Sequence, residues 1–292
     1  MTEPLSERVR RAQVLVEALP YIRRFHGQVL VIKLGGSAME VPESRDAVLQ
    51  DVVLLRYVGM RPVLVHGGGP AISQLSRQLG LEPRFVDGLR VTDAATMEVA
   101  KMVLTGKITP DLVAGLHRFG GQAMGLSGED GPTLLVRPRT GAGGEDLGFV
   151  GEVAQVNPDP LLALLDQGLI PVVASIGLGY DGQAYNVNAD TVAAELAVAL
   201  AAGKLLLLTD VEGVRDAAGA LCSVLSPQAA QALIEARVVR DGMVPKVEAA
   251  LRAAAAGVRA HIIDGRQPHA ALLELLTEEG IGTMVEPVPV SA

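Results

Sequence analysis

The stretch VLVIKLGGS at residues 29–37 determines the predicted fold class, because a short and continuously apolar run ends there at two glycines. Such a run is typical of a strand that is buried on both faces of a sheet. Similar runs recur along the chain and alternate with segments of helical periodicity. The alternation predicts an α/β fold, a three-layer α/β/α sandwich around a mostly parallel sheet.

The apolar periodicity of each segment gives the predicted elements. Strands are expected at residues 29–33, 62–66, 122–126, 134–136, 150–156, 169–175, 205–209 and 260–264. Helices are expected at residues 47–57, 71–79, 94–104, 111–118, 161–167, 190–202, 228–237, 244–256 and 269–278. Residues 137–148 are expected to form a hairpin or loop, and GLGYDG at 177–182 a hairpin turn rather than a dinucleotide-binding loop.

An amphipathic helix is expected ahead of the first core strand. Apolar residues recur there at helical spacing from Leu5 to Leu19, before Pro20 interrupts the pattern. Two interpretations stay open for this arm: it packs on its own subunit, or it is exchanged between subunits.

Composition excludes several classes of function. The 292 residues contain 25 Lys and Arg against 33 Asp and Glu, a net charge of −8, and only 3% aromatic residues, which argues against a nucleic-acid-binding surface. The single cysteine, Cys222, excludes an internal disulfide and suits a reducing cytoplasm. The apolar stretches at 168–180 and 192–208 are too short or too interrupted to span a membrane, and the N-terminal residues do not form a signal peptide. A cytoplasmic protein without membrane partners is expected.

Most known nucleotide and hydrolase motifs are missing. No P-loop is completed after Gly106-Lys107 or Gly203-Lys204, and the protein-kinase motifs H-R-D and D-F-G do not occur. HGGG at 66–69 resembles the oxyanion loop of esterases, but the nearest serine motif, at 125–129, lacks its last glycine. The histidines have no metal-binding spacing, so no protein metal ligand is predicted.

Two glycine turns that follow strands predict an anion-binding site. The first contains Gly35 and Gly36, and the second contains Gly67 and Gly68, with a helix expected from Ala71. Glycine lets backbone N–H groups approach an anion, and the helix N-terminus adds partial positive charge. In open α/β sheets, ligands bind at these C-terminal ends of strands.

Charged and amide side chains near these turns have roles that spacing alone leaves open. Lys33 ends a buried strand, where a charge is costly unless an anionic group meets it. Lys246, at the start of an Ala-rich helix, is by itself typical of a solvated surface lysine. Asp190 fits a helix N-cap, and Asn186 and Asn188 fit turn residues.

Eight motifs, in order along nearly the whole chain, carry a resemblance to a known family. They are VIKLGGSAM (31–39), VHGGGP (65–70), GLRVTDAATMEV (88–99), DLGFVGEV (146–153), NVNADTVA (186–193), LLTDVEGV (207–214), GMVPKV (242–247) and HIIDGR (261–266). On these motifs the chain resembles the amino acid kinase family, and most closely those members that phosphorylate N-acetyl-L-glutamate in arginine biosynthesis. The resemblance implies the amino acid kinase fold with an N-terminal helical arm (1–26), an acceptor lobe (27–200) and an ATP-binding lobe (201–292).

The resemblance also implies a role for each matched residue. In the implied catalytic set, two lysines stabilise charge on the transferred phosphoryl group, a carboxylate orients both lysines, and two glycines donate backbone N–H groups: Lys33, Lys246, Asp190, Gly36 and Gly68. The N-acetyl-L-glutamate site is implied at Gly67, Gly68, Arg90, Asn186 and Asn188. The ATP site, with Mg²⁺ on the phosphates, is implied at Lys33, Gly35, Thr209, Asp210, Val214, Gly242, Met243 and Lys246.

Regulation is implied by the N-terminal arm. Family members with this extra helix are hexamers, trimers of interlaced dimers, and are inhibited by arginine, so both properties are expected here. The implied arginine site is Tyr21, Lys204, His261, Glu274 and Gly280. The alternative is that Lys204 and Glu274 are solvated surface charges without a binding role.

Three other functions compete with this expectation. A kinase of the same fold could act on the acetylated aminoadipate of lysine biosynthesis, since one methylene discriminates by only about 1–3 kcal/mol. A non-catalytic amino-acid sensor could retain the fold, although Lys33, Asp190 and Lys246 are intact. An esterase is a more distant alternative.

Overall fold

An eight-stranded sheet with helices on both faces organises the chain. The structure is a computed structural model that describes residues 5–86, 88–278 and 280–288. Residues 1–4 of the predicted arm, residue 87 of the predicted acceptor lobe, and residues 279 and 289–292 of the predicted nucleotide lobe lie outside the described residues.

The elements follow the predicted alternation, with further short strands. The strands are β1 (Val29–Leu34), β2 (Arg61–His66), β3 (Phe85–Val86), β4 (Leu89–Arg90), β5 (Ala123–Ser127), β6 (Leu134–Thr140), β7 (Asp146–Val156), β8 (Ile170–Ala174), β9 (Ile176–Gly179), β10 (Ala184–Asn186), β11 (Lys204–Thr209), β12 (Val224–Leu225), β13 (Arg259–Asp264) and β14 (Thr283–Val285). The α-helices are α1 (Leu5–Phe25), α2 (Ser37–Glu40), α3 (Pro42–Tyr57), α4 (Gly69–Gln78), α5 (Ala94–Val103), α6 (Thr109–Arg118), α7 (Asp159–Asp166), α8 (Ala189–Ala199), α9 (Pro227–Glu235), α10 (Val244–Ala255) and α11 (Ala270–Leu276). A π-helical turn, Leu104–Ile108, joins α5 to α6, where the sequence predicted two separate helices.

The mostly parallel sheet is confirmed. Its strand order is β12-β14-β13-β11-β1-β2-β8-β5, and only β13 and β14 pair antiparallel. The parallel strands β1, β2, β11 and β13 end at one edge, called here the C-terminal edge, and begin at the N-terminal edge. Because β1 pairs with β11, the sheet is continuous across the predicted lobe boundary at residue 200.

Alternate residues of the central strands enter two separate cores. Val31, Val63 and Leu205 face one core, which α8 and α10 cover, whereas Ile32 and Leu64 face the other, which α3 and α6 cover. Since both faces are covered, these strands are apolar at most positions, which is why they were recognisable in the sequence.

Two predicted strands were wrongly assigned to the central sheet. The strands expected at 134–136 and 150–156 are parts of β6 and β7, which form a small closed barrel with β9 and β10. Several side chains of β6 and β7 are exposed, so these strands are not buried on both faces as central strands are. The expected hairpin between them is confirmed, and so is the hairpin turn at 177–182, where Gly182 has a φ of +79° between antiparallel β9 and β10.

The N-terminal helix α1 extends away from the domain. It runs through Pro20 without ending, and its apolar side chains are exposed, Leu15 by 73% and Val16 by 67%. Near its end, Phe25 is buried. The interpretation that the helix packs its apolar side chains on its own subunit is therefore wrong. No helix of the described chain is long and apolar enough to cross a membrane.

Candidate active site

The two glycine turns lie side by side at the C-terminal edge. β1 and β2 are neighbouring parallel strands in which Lys33 pairs with Val65 and Leu34 with His66, so the turns that follow them meet. Helix α4 begins directly after the second turn, with Gly68 at its N-cap. The two glycine turns and the helix N-terminus are therefore adjacent, as an anion-binding site would require.

A buried carboxylate holds two lysine side chains beside these turns. The Oδ1 atom of Asp190 lies 2.9 Å from Nζ of Lys33, and Oδ2 lies 3.1 Å from Nζ of Lys246. Lys33 and Asp190 are buried. Asp190 is not the N-cap of α8: that cap is Asn188, whose Oδ1 accepts hydrogen bonds from the backbone N–H groups of Asp190 and Thr191. The Asp190 side chain is thus free to hold both lysines.

The cluster formed by Lys33, Asp190 and Lys246, called here the lysine cluster, has an excess of positive charge. Burial alone would raise the pKa of Asp190, but the two ammonium groups outweigh it and hold the pKa below its usual value. Burial lowers the pKa of Lys33, against the opposing attraction of Asp190. With two ammonium groups and one carboxylate, the cluster favours an additional anion.

Glycines are required where this cluster meets the first turn. A Cβ on Gly35 would lie 2.3 Å from Nζ of Lys33, so any other residue would displace the ammonium group from its position beside Asp190. Gly36 has a φ of +58°, which glycine adopts without strain.

The acceptor cavity, of about 230 Å³, opens beside the lysine cluster. Its lining includes every predicted acceptor-site residue, together with both glycines of the first turn: Lys33, Gly35, Gly36, Gly67, Gly68, Arg90, Asn186, Asn188 and Asp190. Nη2 of Arg90 donates hydrogen bonds to Gly69 O and Ser73 Oγ, each at 2.8 Å, and the guanidinium lies 4.8 Å from the ring centre of Phe85. Its Nη1 has no hydrogen-bond partner in the described chain, so it can receive a carboxylate.

A threonine that the sequence analysis did not single out links the two acceptor-binding side chains. Oγ1 of the buried Thr92 donates to the carbonyl oxygen of Arg90 (2.9 Å) and accepts from Nδ2 of Asn186 (3.3 Å). Because Nδ2 is engaged in this way, Oδ1 of Asn186 is left as a hydrogen-bond acceptor. The residue lies inside a quoted motif, but nothing local to that motif indicates these contacts.

The nucleotide cleft, of about 390 Å³, lies on the other side of the first turn. Its lining contains Gly36 and five of the eight predicted nucleotide-site residues: Thr209, Asp210, Gly242, Met243 and Lys246. Lys33 and Gly35 line the acceptor cavity instead. Val214 is not brought to this cleft; its side chain is in the core and its N–H donates to Thr283 Oγ1. Gly36 lines both the cleft and the acceptor cavity.

The predicted arginine-site residues meet in a third cavity, of about 400 Å³, at the N-terminal edge. Its lining includes Tyr21, Lys204, His261, Glu274 and Gly280. Nζ of Lys204 and Nδ1 of His261 lie 3.1 and 2.7 Å from Oε1 of Glu274. Because all three side chains are buried, Lys204 and Glu274 are not solvated surface charges.

The esterase alternative finds no support in the geometry. Ser127, of the incomplete serine motif, donates to Asp130, whereas the ring of His66 contacts Gly67 O and Thr109 Oγ1. Across the described ranges, no group of three or more His, Cys, Asp or Glu residues is placed to hold a metal ion.

Comparison with known proteins gives the same family as the motifs. A sequence model described as the amino acid kinase family matches residues 28–264. The acetylglutamate kinase of Syntrophomonas wolfei is 50% identical over 281 residues, which cover 95% of this chain and 97% of that protein. The acetylglutamate kinase of Synechococcus sp. strain RCC307 is 55% identical, with 95% and 94% covered.

A solved structure is also similar over most of the chain. N-acetylglutamate synthase from Neisseria gonorrhoeae, complexed with coenzyme A and N-acetyl-glutamate, gives a TM-score of 0.85 and 30% identity over 96% of this chain. Its complex with coenzyme A and L-arginine gives a TM-score of 0.78 and 29% identity over 95% of this chain. This chain spans only 64–65% of the length of the synthase.

Proposed function

The chain belongs to the amino acid kinase family, and on that premise we propose that it transfers the γ-phosphoryl group of ATP to the γ-carboxylate of N-acetyl-L-glutamate. The product is N-acetyl-L-glutamyl 5-phosphate, for arginine biosynthesis. Relatives named acetylglutamate kinase, at 50–55% identity over about 95% of this chain, support this acceptor over acetylaminoadipate.

The observation that carries the proposal is the position of the lysine cluster between two cavities. Lys33 and Asp190 line the acceptor cavity, Lys246 lines the nucleotide cleft, and Gly36 lines both. A phosphoryl group that passes from the cleft to the cavity therefore passes the excess positive charge. This arrangement fits transfer better than it fits binding by a non-catalytic sensor.

The chemistry requires no general base. The acceptor carboxylate has an ordinary pKa of about 4 and is ionised at neutral pH, so it can attack directly. The difficulty is to bring two anions together in line, which positioning and electrostatic stabilisation address. We propose that Lys33 and Lys246 stabilise the negative charge that develops on the transferred phosphoryl group. Backbone N–H groups of Gly36 and Gly68 donate further hydrogen bonds to that group. Each such donor contributes about 3 kcal/mol in the transition state.

The residues of the site fit Mg²⁺ held by the nucleotide rather than by the protein. Both oxygens of Asp190 face lysine ammonium groups, and the described chain offers no metal-binding cluster. When bound with ATP, Mg²⁺ neutralises phosphate charge and orients the phosphates. The cleft residues Thr209, Asp210, Gly242 and Met243 hold the nucleotide in this proposal.

In the acceptor cavity, we propose that Nη1 of Arg90 donates a hydrogen bond to the α-carboxylate of the substrate. Oδ1 of Asn186 accepts a hydrogen bond from the N–H of the acetamido group. A coupled ADP assay with N-acetylglutamate, acetylaminoadipate and unacetylated glutamate tests this assignment. We expect kcat/KM to be about 10–100-fold higher for N-acetylglutamate than for acetylaminoadipate, from one methylene of length. Equal or higher kcat/KM for acetylaminoadipate would reassign the acceptor, and no ADP with any substrate would remove the kinase proposal.

We also propose inhibition by arginine and a hexamer built through α1. Glu274 offers a carboxylate to a guanidinium, and a relative, the Neisseria synthase, has been solved with L-arginine. The exposed apolar side chains of α1 fit the same helix of a second copy. Deleting residues 1–24 should abolish arginine inhibition and reduce the assembly size in light scattering. A truncated chain that stays hexameric and arginine-sensitive would overturn both proposals.

A further inference from the structure

Thr92 is a buried polar side chain between the two residues proposed to bind the substrate, and the proposed reaction assigns it no role. It lies two residues after the end of β4 and is not part of the lining of the acceptor cavity. Its Oγ1 atom lies 2.9 Å from the carbonyl oxygen of Arg90 and 3.3 Å from Nδ2 of Asn186. One hydroxyl group therefore contacts both substrate-binding residues.

The first of these contacts determines the polarity of the hydroxyl. A threonine hydroxyl has one proton, and a carbonyl oxygen only accepts hydrogen bonds, so the proton is donated to the carbonyl oxygen of Arg90. Toward Asn186, Oγ1 is then left only as a hydrogen-bond acceptor. Only the nitrogen end of the Asn186 amide can donate to it. Nδ2 rather than Oδ1 therefore faces Thr92.

The oxygen end of the same amide is open to a ligand. No hydrogen bond from the described residues reaches Oδ1 of Asn186, and yet this oxygen is not among the atoms buried without a partner. Asn186 lines the acceptor cavity. At this point the site therefore offers a substrate a hydrogen-bond acceptor and not a donor, which suits an N–H group.

The main chain of Thr92 is fixed by β7. Its N–H donates to the carbonyl oxygen of Leu147 (2.9 Å), and its own carbonyl oxygen accepts from the N–H of Phe149 (2.6 Å). Between these two residues, Gly148 has a φ of +68°, and a Cβ there would lie only 2.3 Å from the carbonyl oxygen of Thr92. The glycine of the motif DLGFVGEV is thus required for this close approach of two backbones.

The same strand also supports Asn186. Gly148 of β7 forms a bridge with Thr92, and Val150, two residues later, pairs with Asn186 of the parallel strand β10. Arg90 is held from another direction, through Gly69 O and Ser73 Oγ. Because the backbones of Thr92 and Asn186 are both fixed on β7, their side chains are held in contact before a substrate binds.

We propose that Thr92 is a positioning residue that determines substrate specificity: it holds the Asn186 amide with Oδ1 toward the substrate, so that the site selects a substrate with an N–H group on its α-carbon. This inference rests on the proposed function, because Asn186 meets N-acetylglutamate only in that reaction. The orientation of the amide does not depend on the reaction and can be observed separately.

An ester analogue of the substrate isolates the N–H group. The acetate ester of (S)-2-hydroxyglutarate has an oxygen in place of the N–H of N-acetyl-L-glutamate and keeps both carboxylates. In wild type this oxygen would face Oδ1 of Asn186, so that a hydrogen bond is replaced by repulsion between lone pairs. In a coupled ADP assay, we expect kcat/KM for the amide to be about 100-fold higher than for the ester. A preference below about threefold would overturn the proposal.

Thr92→Val tests the hydroxyl, because valine keeps the shape of the side chain and removes Oγ1. Nδ2 of Asn186 then has no partner to hold it, and the amide can turn Nδ2 toward the substrate and donate to the ester oxygen. The amide-to-ester ratio of kcat/KM should therefore fall at least about fivefold.

Thr92→Ser, which retains the hydroxyl, is the matched control and should keep the ratio within about twofold of wild type. A merely structural role would lower kcat/KM for both substrates by the same factor and leave the ratio unchanged. That result, or an equal fall of the ratio in the Val and Ser variants, would overturn the proposal.

Neutron diffraction from deuterium-exchanged crystals of wild type gives a readout that does not depend on activity. It should show deuterons on the end of the Asn186 amide that faces Thr92, and the Thr92 deuteron pointing at the carbonyl oxygen of Arg90. An amide oxygen facing Thr92 would overturn the proposal even if Thr92→Val fails to fold. If wild type forms no ADP with N-acetylglutamate, the proposed function fails. If it forms ADP and Thr92→Val keeps the wild-type ratio, only this inference fails.

Discussion

The two edges of the central sheet each hold a buried carboxylate between two basic side chains, but in different states of charge. At the C-terminal edge, Asp190 lies between Lys33 and Lys246. At the N-terminal edge, Glu274 lies between Lys204 and His261. Lys33 and Lys204 are near opposite ends of the neighbouring strands β1 and β11, so one sheet positions both clusters.

The charge balance differs because one basic partner is a histidine. Burial lowers the pKa of His261, with a further contribution from the nearby Lys204, so the ring is neutral at pH 7 despite the opposing effect of Glu274. The N-terminal cluster therefore has one ammonium for one carboxylate. The lysine cluster has two ammonium groups for one carboxylate, which suits the polyanionic phosphates, whereas a neutral cluster suits a ligand that carries both charges.

The largest effect is expected from removing charge at the C-terminal edge. Lys33→Met or Lys246→Met should lower kcat about 300-fold, because each removes a charge-assisted donor to the transferred group. KM for N-acetylglutamate should change by less than about fivefold, since Arg90 remains. Steady-state ADP formation gives both constants, and Lys101→Met, which removes a surface lysine paired with Glu129, is the matched control. Rates within tenfold of wild type would show that the charge excess is not used for transfer.

The next-largest effect is expected on the acid stability of the protein, where the buried His66 is compared with the exposed His26. The folded-state pKa of His66 is lowered to about 4 from an unfolded value of 6.5, so its contribution to stability is present above pH 6.5 and is lost as the pH falls toward 4. This amounts to about 3 kcal/mol, at 1.36 kcal/mol per pKa unit. Urea unfolding of wild type and His66→Asn at pH 7 and pH 4 should show their difference in unfolding free energy shrinking by that amount.

The control for this titration is His26→Asn, which removes an exposed histidine. The His66→Asn difference is compared with the His26→Asn difference at each pH. If the His66→Asn difference stays constant, His66 is not held neutral by burial.

Much of the C-terminal edge could be predicted because its signals are local. Lys33 is a charge in an apolar strand directly before Gly35, and both features are visible within one window of sequence. The pairing of Asp190 with Lys246 was not visible in this way, because the two residues are 56 positions apart and only the fold brings them together. The spacing around Asp190 indicated an N-cap, while the cap is Asn188, two residues earlier.

Other parts of the structure could not be predicted because their stability comes from distant contacts. The short strands β9, β10 and β14 have three or four residues each and form only by pairing with others. The barrel strands β6 and β7 were recognised as strands, but nothing local distinguishes barrel from central sheet. The π-helical turn follows an uninterrupted helical pattern, and the packing of Leu104 and Ile108 on Gly68 joins residues that are far apart in the sequence.

At the N-terminal edge, the charged acceptor Glu274 should contribute more to arginine inhibition than the neutral acceptor His261. Glu274→Gln removes the carboxylate proposed to meet the guanidinium of arginine, so the half-inhibitory arginine concentration should rise about 30-fold, as for loss of a charged hydrogen bond of about 2 kcal/mol. Inhibition is measured as the ratio of rates with and without arginine in the same variant. A thermal melt checks folding, since Lys204 loses its buried partner, and Glu248→Gln, at an exposed position of α10, is the matched control. Unchanged inhibition would remove the arginine proposal.

The smallest effect tests whether the neutral histidine contributes at all. In the described structure, Nε2 of His261 is buried without a hydrogen-bond partner, while Nδ1 is engaged by Glu274. A guanidinium N–H could satisfy that bare nitrogen, so the histidine would act as an uncharged acceptor beside the charged one. His261→Asn keeps an amide nitrogen near Nδ1 for Glu274 and removes Nε2. The half-inhibitory concentration of arginine should therefore rise about fivefold, as for loss of a neutral hydrogen bond of about 1 kcal/mol.

The size of this effect relative to that of Glu274→Gln decides how the N-terminal edge recognises its ligand. If His261→Asn strengthens inhibition by arginine, the histidine is charged when arginine is absent, and the cluster is not neutral. Both edges would then carry excess positive charge, and charge balance could not explain why one receives phosphates and the other a cation. If inhibition by arginine weakens toward lower pH in wild type but not in His261→Asn, protonation of His261 opposes the guanidinium, as a neutral acceptor requires. If the ratio of the rates with and without arginine does not depend on pH in either protein, His261 does not act as a neutral acceptor.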